Sequence, residues 1–220
     1  MRWVVVIAVL CAARAASADD AADVAAVTKA VPACDATRAH CFGLRFHIAR
    51  TDDGSMVVEP AWIAAQLAMA NKQFEPLDTS FQLVGVDFLP VDAARIDDRP
   101  ERNALANQVK GPAIDVFFTG YLVDVDKADA FAYGVTWRTK DERKYIIVSG
   151  MGRDRTLAHE LGHFFGLPHS KFAISIMNKT ARDDPPPEKR RFADEEIATM
   201  KPVLVKLVRT KVIAELEPAT

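Results

Sequence analysis

Hydrophobic and polar residues alternate along some stretches of this chain and follow a helical spacing along others. Residues 42–50 alternate, which predicts a half-buried first strand with His47 on its solvent-facing side. Residues 81–89 predict a second strand, and a short buried strand is expected over residues 145–148. The almost continuous apolar run of residues 114–123 predicts a central strand that is covered on both faces.

Helical spacing of apolar residues occurs between these strands and after them. It predicts a helix over residues 59–74 and another over residues 155–165. A short helix is expected over residues 101–109, and a last amphipathic helix over residues 194–211, where Pro202 should kink or divide it. The mixture of strands and helices predicts a domain of mixed α and β structure.

The helix that ends before Gly166 carries the residues with the clearest chemistry. His159 and His163 are four residues apart, so both imidazoles lie on one face of the helix. Glu160 can reach a water held between them, and the turn after Gly166 can bring His169 towards the first two histidines. Three neutral nitrogen ligands with one open position are typical of a catalytic zinc site.

Residues 159–169 resemble the metzincin metalloprotease signature HExxHxxGxxH, with His159, His163 and His169 as the metal ligands. Residues 175–178 resemble the methionine turn that metzincins have beneath the metal. Met177 is expected to pack under the imidazoles and to fix their geometry without binding the zinc ion.

The same resemblance extends to a branch and to a fold. The short spacing between His169 and Met177, and Ser170 directly after the third histidine, resemble the matrixin branch. Asn178 and Lys179 depart from that branch, which usually has an aromatic residue and a proline there. The resemblance implies a zincin-like catalytic domain of the α+β class. In it a twisted mixed sheet carries the active-site helix, and a small C-terminal subdomain that ends in a helix follows.

Residues 131–137 correspond by position to the edge strand that lies along the cleft of metzincins. A substrate backbone can pair with such an edge as an added strand. The expected substrate contacts are Phe131, Ala132, Tyr133, Gly134 and Val135. The side chains of Tyr133 and Trp137 either line pockets for the substrate or pack inward.

The first residues have the pattern of a secretory signal peptide. A basic residue precedes an apolar run of eleven residues, and Ala16-Ser17-Ala18 forms a small-x-small cleavage site. The apolar run is short for a membrane anchor. We therefore expect a signal peptide over residues 1–18, an N-terminal segment over residues 19–41 and a catalytic domain over residues 42–220. Export to the periplasm or the extracellular space follows, without a stable membrane span after cleavage.

Two further groups of residues each allow two interpretations. Cys34 and Cys41 are expected to form a disulfide in an oxidising compartment. The alternative is a latency device in which one thiolate occupies the open zinc position. Asp124, Asp126 and Asp129 are either solvated loop acids or ligands of a calcium ion, which matrixins carry in this general region.

The charge of the chain narrows the range of partners. The formal net charge is −2, and it becomes about −4 when Arg2 and Arg14 are removed with the signal peptide. This surface does not suit nucleic acid.

The predicted function is an exported, monomeric zinc endopeptidase that acts on peptides or proteins, with Glu160 as the general base. The alternatives are a zinc-binding module that captures peptides without cleaving them, and a zinc hydrolase of a non-protein amide.

Overall fold

The structure, a computed structural model, describes residues 18–127, 129–180 and 183–217 of the chain. The predicted signal peptide lies outside the described residues except for Ala18. Within them, no helix combines the length and the hydrophobicity that crossing a membrane requires.

The described residues form five helices and seven strands, with short 3₁₀ segments between them. The helices are α1 (Ala18–Ala30), α2 (Pro60–Phe74), α3 (Arg99–Ala104), α4 (Thr156–Phe164) and α5 (Asp194–Arg209). The strands are β1 (His40–Ala49), β2 (Thr79–Leu89), β3 (Arg95–Ile96), β4 (Ile114–Thr119), β5 (Tyr121–Leu122), β6 (Gly134–Arg138) and β7 (Lys144–Ser149).

The main sheet has five strands in the order β2-β1-β4-β7-β6. The first four strands are parallel, and β6 runs antiparallel to β7 at the edge of the sheet. Helix α2 connects the parallel strands β1 and β2, as parallel pairing requires a crossover. The predicted α+β class and the mixed sheet are therefore confirmed.

The core lies on both faces of this sheet. On one face, alternate residues of β1 and β4 pack against the apolar sides of α2, α4 and α5. On the other face, a smaller cluster joins the reverse sides of β4 and β7 to the segment around α3. Two covered faces explain why β4 is buried along its whole length, as its continuous apolar sequence predicts.

The reverse face of β1 carries a buried polar pair. His47 is 0% exposed, and its Nε2 donates to the carboxylate of Asp115 on β4 at 2.7 Å. Its ring also stacks on Phe117, with 4.3 Å between the ring centroids. The prediction of a solvated His47 is wrong, because β1 lies between two other strands. The alternating residues of β1 therefore point to two buried faces of the sheet, of which one is apolar and the other is partly polar.

Two other predicted elements differ in their boundaries. The strand predicted over residues 114–123 ends at Thr119, because the Gly120 N–H donates to the Ala94 carbonyl outside the main sheet (2.8 Å). Strand β5 pairs with β3 in a separate two-stranded sheet. The helix predicted over residues 101–109 starts earlier and gives way to a 3₁₀ segment at Leu105–Gln108.

The last helix, α5, is not divided at Pro202. It continues as one element from Asp194 to Arg209. Proline cannot donate a backbone hydrogen bond to the residue four positions earlier. That residue, Ala198, is exposed, so its carbonyl can bond to water and the helix can pass through the proline.

The N-terminal segment is attached to the rest of the fold by core packing and by a disulfide, among other contacts. Val27 of α1 is fully buried in the main core, and α1 packs against α2 and β2. Cys34 and Cys41 form the expected disulfide, with 5.9 Å between their Cα atoms. Since both sulfur atoms are in this bond, neither is a free thiolate for a metal ion.

The buried pair of His47 and Asp115 gives a testable prediction. Asp115→Ala leaves the His47 Nε2 buried without a hydrogen-bond acceptor. We expect the free energy of unfolding to fall by about 3 kcal/mol, as when one partner of a buried polar pair is removed. Urea unfolding measures this change.

Asp97→Ala is the matched control, since the Asp97 side chain is 51% exposed and pairs with Arg95 at 2.7 Å on the surface. This substitution should lower the free energy of unfolding by about 1 kcal/mol or less. Equal losses of stability in the two variants would contradict the importance of burial at Asp115.

Candidate metal centre

Three histidines converge at the end of α4. The potential ligand atoms of His159, His163 and His169 all lie within 4.8 Å of one another. The first two are one helical turn apart, and Gly166 ends the helix with a φ of +94°. This left-handed conformation suits glycine and lets the chain reverse, so that the Nε2 of His169 comes to 3.1 Å from that of His163.

The orientation of two of these imidazoles is set by main-chain carbonyls. The Nδ1 of His159 lies 2.8 Å from the Ile176 carbonyl, and the Nδ1 of His163 lies 2.6 Å from the Leu167 carbonyl. A carbonyl oxygen only accepts hydrogen bonds, so each Nδ1 carries the proton. Each Nε2 therefore keeps its lone pair for a metal ion, which is the usual supporting arrangement of metal-binding histidines.

The electrostatic environment keeps the three imidazoles neutral. Burial lowers the pKa of His159 to about 4 and the pKa of His169 to about 4. Burial also lowers the pKa of His163. Neutral imidazoles are the form that binds metals, and three of them fit a tetrahedral zinc site with one open position. Among the described residues, no other group of three or more histidines, cysteines or acids lies close enough together to hold a metal ion.

Glu160 lies between this triad and the edge strand β6. Its side chain is 4% exposed, and burial raises its pKa to about 7. Thr136 on β6 donates its hydroxyl hydrogen towards the Glu160 main-chain carbonyl (2.6 Å) and lies 3.1 Å from the carboxylate Oε2. Thr136 was not among the candidate site residues from the sequence, since an alternating strand does not show which helix it faces.

The close approach of β6 to α4 depends on Gly134. A Cβ atom at this position would lie 2.8 Å from the Thr156 Cγ2 and 2.9 Å from the Glu160 Cγ. Both distances are shorter than real carbon contacts, so a larger residue would displace the Glu160 side chain. The glycine therefore allows the sheet edge to lie directly against the candidate general base.

The edge strand is present, but it is shifted from its predicted position. Strand β6 covers Gly134–Arg138, so Phe131, Ala132 and Tyr133 precede it rather than form part of it. The Phe131 backbone instead makes an isolated bridge to Val123. The predicted substrate contacts at residues 131–133 therefore lie at the entrance to the edge, while Gly134 and Val135 lie on it.

The two aromatic residues at this edge differ in their surroundings. Tyr133 is exposed, and its hydroxyl accepts a hydrogen bond from Arg153 at 3.1 Å. Trp137 packs against the second core cluster, under the guanidinium of Arg102, and its ring nitrogen donates to Asn103 at 2.8 Å. Of the two interpretations, inward packing thus applies to Trp137 and not to Tyr133.

Met177, which is predicted to pack under the imidazoles, lies against the helix that carries His159 and His163. It is 0% exposed, and a Cβ atom on Gly162 of α4 would come to 2.7 Å from its sulfur. The Met177 carbonyl accepts from the Ser170 N–H at 3.1 Å, which ties the turn to the residue after the third histidine. The turn is thus in direct contact with the helix that carries two of the three histidines.

A buried acid of α5 supports this turn. The Glu196 carboxylate accepts from the Ser175 hydroxyl (2.8 Å) and from the Ala193 N–H (2.8 Å). The Ser175 oxygen accepts in turn from the Met177 N–H at 2.8 Å. Sequence analysis missed Glu196. An acid at the third position of a helix is a signal for capping, but not for contact with a distant turn.

Both ends of α4 are held by side chains from other elements. At the start, the buried Gln66 of α2 accepts from the Leu157 N–H (3.0 Å) and donates to the Arg153 carbonyl (2.8 Å). At the end, the Lys144 ammonium donates to the Phe164 carbonyl at 2.6 Å, and burial lowers its pKa to about 8. These contacts fix the position of the helix relative to the sheet.

The candidate calcium ligands do not form a metal site within the part of the chain that the structure describes. Asp126 pairs with Arg99, and the Asp124 carboxylate accepts from the Asp126 N–H at 3.0 Å. Asp129 is not part of a metal-binding group there. These contacts agree with loop acids and give no support to calcium.

Comparison with known proteins bears on the fold. No protein-family model and no curated protein matches the sequence. The structure is similar to archaemetzincin from Methanopyrus kandleri, with a TM-score of 0.54 and 16% identity over 76% of this chain and 98% of that chain. For metalloproteinase-II from Bacteroides fragilis, the TM-score is 0.49 and the identity is 13%, over 80% of this chain and 60% of that chain. For a zinc-dependent peptidase from Methanocorpusculum labreanum, the TM-score is 0.43 and the identity is 16%, over 72% of this chain and 100% of that chain. The first similarity shows that the chain shares the fold of archaemetzincin.

The support of the methionine turn can be tested with Ser175→Ala. This change removes the hydroxyl that joins Glu196 to the Met177 N–H. We expect the free energy of unfolding to fall by about 2 kcal/mol, because buried groups lose their partners. Zinc affinity should fall by roughly 10-fold, as when supporting groups behind metal ligands are removed. Urea unfolding and competitive zinc titration measure the two effects.

Thr199→Ala serves as the control, because this exposed hydroxyl of the same helix donates only to the Glu195 carbonyl. It should change neither quantity by a comparable amount. Wild-type zinc affinity in Ser175→Ala would contradict the supporting role of the Glu196 contacts.

Proposed function

We propose that this protein is a zinc-dependent peptidase. The observation that carries the proposal is the convergence of three neutral imidazoles beside a buried glutamate and an edge strand. The archaemetzincin fold agrees with it, although a fold alone does not define an activity. Zinc bound by His159, His163 and His169 would supply Lewis-acid chemistry and a water of lowered pKa.

The residues around the triad can perform the proton transfers that peptide hydrolysis needs. Glu160 accepts a proton from the attacking water and then delivers it to the leaving amine. A pKa of about 7 suits a group that both takes and returns a proton near neutrality. Thr136 and Gly134 hold this carboxylate at the sheet edge, where a scissile bond would lie.

The free edge of β6 provides a way to bind an extended chain. Strand β6 pairs with β7 on one side only among the described residues. A peptide that adds to its other side would be held by backbone hydrogen bonds, next to Glu160. The proposed substrate is therefore a peptide or an unfolded segment of a protein, with the cut made within the extended segment.

Several finer features of the proposal rest on the sequence. The matrixin branch rests on the spacing between His169 and Met177, and export rests on the pattern of residues 1–18. The division into an N-terminal segment and a catalytic domain, and the monomeric state, are likewise predictions.

The role of the general base can be tested with Glu160→Gln. The amide keeps the shape of the side chain but cannot take a proton. We expect kcat/KM on peptides to fall by about 10³-fold, within the range for loss of general acid–base catalysis. The zinc content should stay the same as in the wild type. Mass spectrometry of a digested peptide library measures the first quantity, and elemental analysis measures the second.

Glu142→Gln is the control, since this exposed glutamate pairs only with Arg138 on the surface. It should cleave as fast as the wild type. Full activity in Glu160→Gln would contradict the mechanism. Stoichiometric zinc without any turnover in the wild type would favour the peptide-capturing module instead.

A further inference from the structure

Aromatic side chains form a surface directly before the edge strand β6. The rings of Phe131 and Tyr133 meet edge to face, with 5.2 Å between their centroids. Tyr121 extends the series, since its ring centroid lies 6.0 Å from that of Phe131. Phe131 is 40% exposed and Tyr133 is 37% exposed, so both keep apolar area open to an incoming molecule. We call Phe131 and Tyr133 the aromatic platform.

The platform is held in place by its surroundings. The Ala132 N–H donates to the Leu122 carbonyl (2.8 Å), and the Tyr133 carbonyl accepts from the Ser149 N–H (2.9 Å). The central carbon of the Arg153 guanidinium lies 4.9 Å from the centroid of the Tyr133 ring, and the same group donates to the Tyr133 hydroxyl at 3.1 Å. Rings that are already fixed lose little conformational entropy when a ligand packs on them.

Direct contacts place the platform beside the candidate general base. Gly134 follows Tyr133 in the chain, and a Cβ atom on it would lie 2.9 Å from the Glu160 Cγ. The same Cβ atom would lie 2.8 Å from the Thr156 Cγ2. The Arg153 N–H donates to the Thr156 hydroxyl oxygen at 2.8 Å. Tyr133 and Arg153 are thus both anchored at the start of α4, one helical turn before Glu160.

A peptide that pairs with β6 reaches the platform when it continues past Gly134. An extended chain advances by about 3.4 Å per residue. The peptide residue that meets the platform therefore lies roughly one to three positions from the residue beside Glu160. Since the platform lies only at the Gly134 end of β6, it contacts the peptide on one side of the scissile bond.

We propose that the aromatic platform selects peptides that carry an aromatic residue close to the scissile bond, on one side of it only. The inference rests on the substrate edge of the proposed function and names the substrate class of that site. An aromatic side chain can continue the existing series of rings at a centroid distance of about 4.5–7 Å. Such ring contacts add to the favourable burial of apolar area, which distinguishes aromatic residues from aliphatic ones.

Binding to zinc-loaded Glu160→Gln protein separates recognition from cleavage. The probes are unlabelled octapeptides of Ala and Lys with Phe, Leu or Ala at one central position. Steady-state surface plasmon resonance over the immobilised protein gives their dissociation constants. We expect the Phe probe to bind about 10-fold more tightly than the Ala probe and about threefold more tightly than the Leu probe.

Substitutions in the same protein test whether the platform causes this preference. The double variant Phe131→Ala/Tyr133→Ala should abolish it, and Tyr133→Phe, which keeps the ring, should retain it. Phe131→Ala alone removes one exposed ring and should weaken the preference about threefold. Phe172→Ala is the matched control, because Phe172 is an aromatic residue of similar exposure (43%) that follows the third histidine. It should keep the preference of the parent protein.

Digestion of a peptide library by the wild type shows the side of the cut. We expect aromatic residues to be enriched at one position, about one to three residues from the cut and on a single side. Enrichment on both sides, or none beside efficient cleavage, overturns the platform and leaves the peptidase supported.

The binding results also separate this inference from the proposed function. A preference for Phe that depends on the platform, together with no cleavage by the wild type, supports the platform and refutes the peptidase. Equal binding of the Phe, Leu and Ala probes, binding of none, or a preference that survives the double variant overturns the platform. A preference lost in Phe172→Ala overturns it as well.

Discussion

The arrangement of the site depends on hydrogen bonds between imidazoles and main-chain carbonyls. The Ile176 carbonyl fixes the His159 ring, and the Leu167 carbonyl fixes the His163 ring. Both carbonyls lie outside α4, so the helix alone does not determine where the two Nε2 atoms point. The turn after Gly166 and the turn before Met177 must both be in place before the metal ligands are oriented. Preorganisation of this kind lowers the entropy cost of binding a metal ion.

The same dependence explains why distant elements matter to the centre. Gln66 and Lys144 position α4 from its two ends, and Glu196 supports the methionine turn from α5. The close contact between Gly134 and Glu160 then places the sheet edge beside the triad. A candidate metal site, a buried acid and a free sheet edge thus meet at one place, which is the physical basis of the proposed hydrolysis.

The sequence predicted those parts of the structure that local spacing determines. A four-residue separation places His159 and His163 on one helix face, and Gly166 provides the left-handed turn that returns His169. Parts of the structure that depend on contacts between distant residues could not be predicted from the sequence. The burial of His47 follows from strands on both sides of β1, and the support of Met177 by Glu196 joins residues that are 19 positions apart in the chain. The start of β6 was misplaced because aromatic residues before Gly134 have the same strand-like composition as the strand itself.

The central claim is that His159, His163 and His169 together hold one zinc ion. Zinc titration of metal-free protein, followed by X-ray absorption spectroscopy of the 1:1 complex, tests it most directly. The account predicts three imidazole nitrogens at about 2.0–2.1 Å from zinc and one further light ligand, with the imidazole count reduced in each single His→Ala variant. A spectrum with sulfur ligands, or an unchanged imidazole count in the three variants, would contradict it.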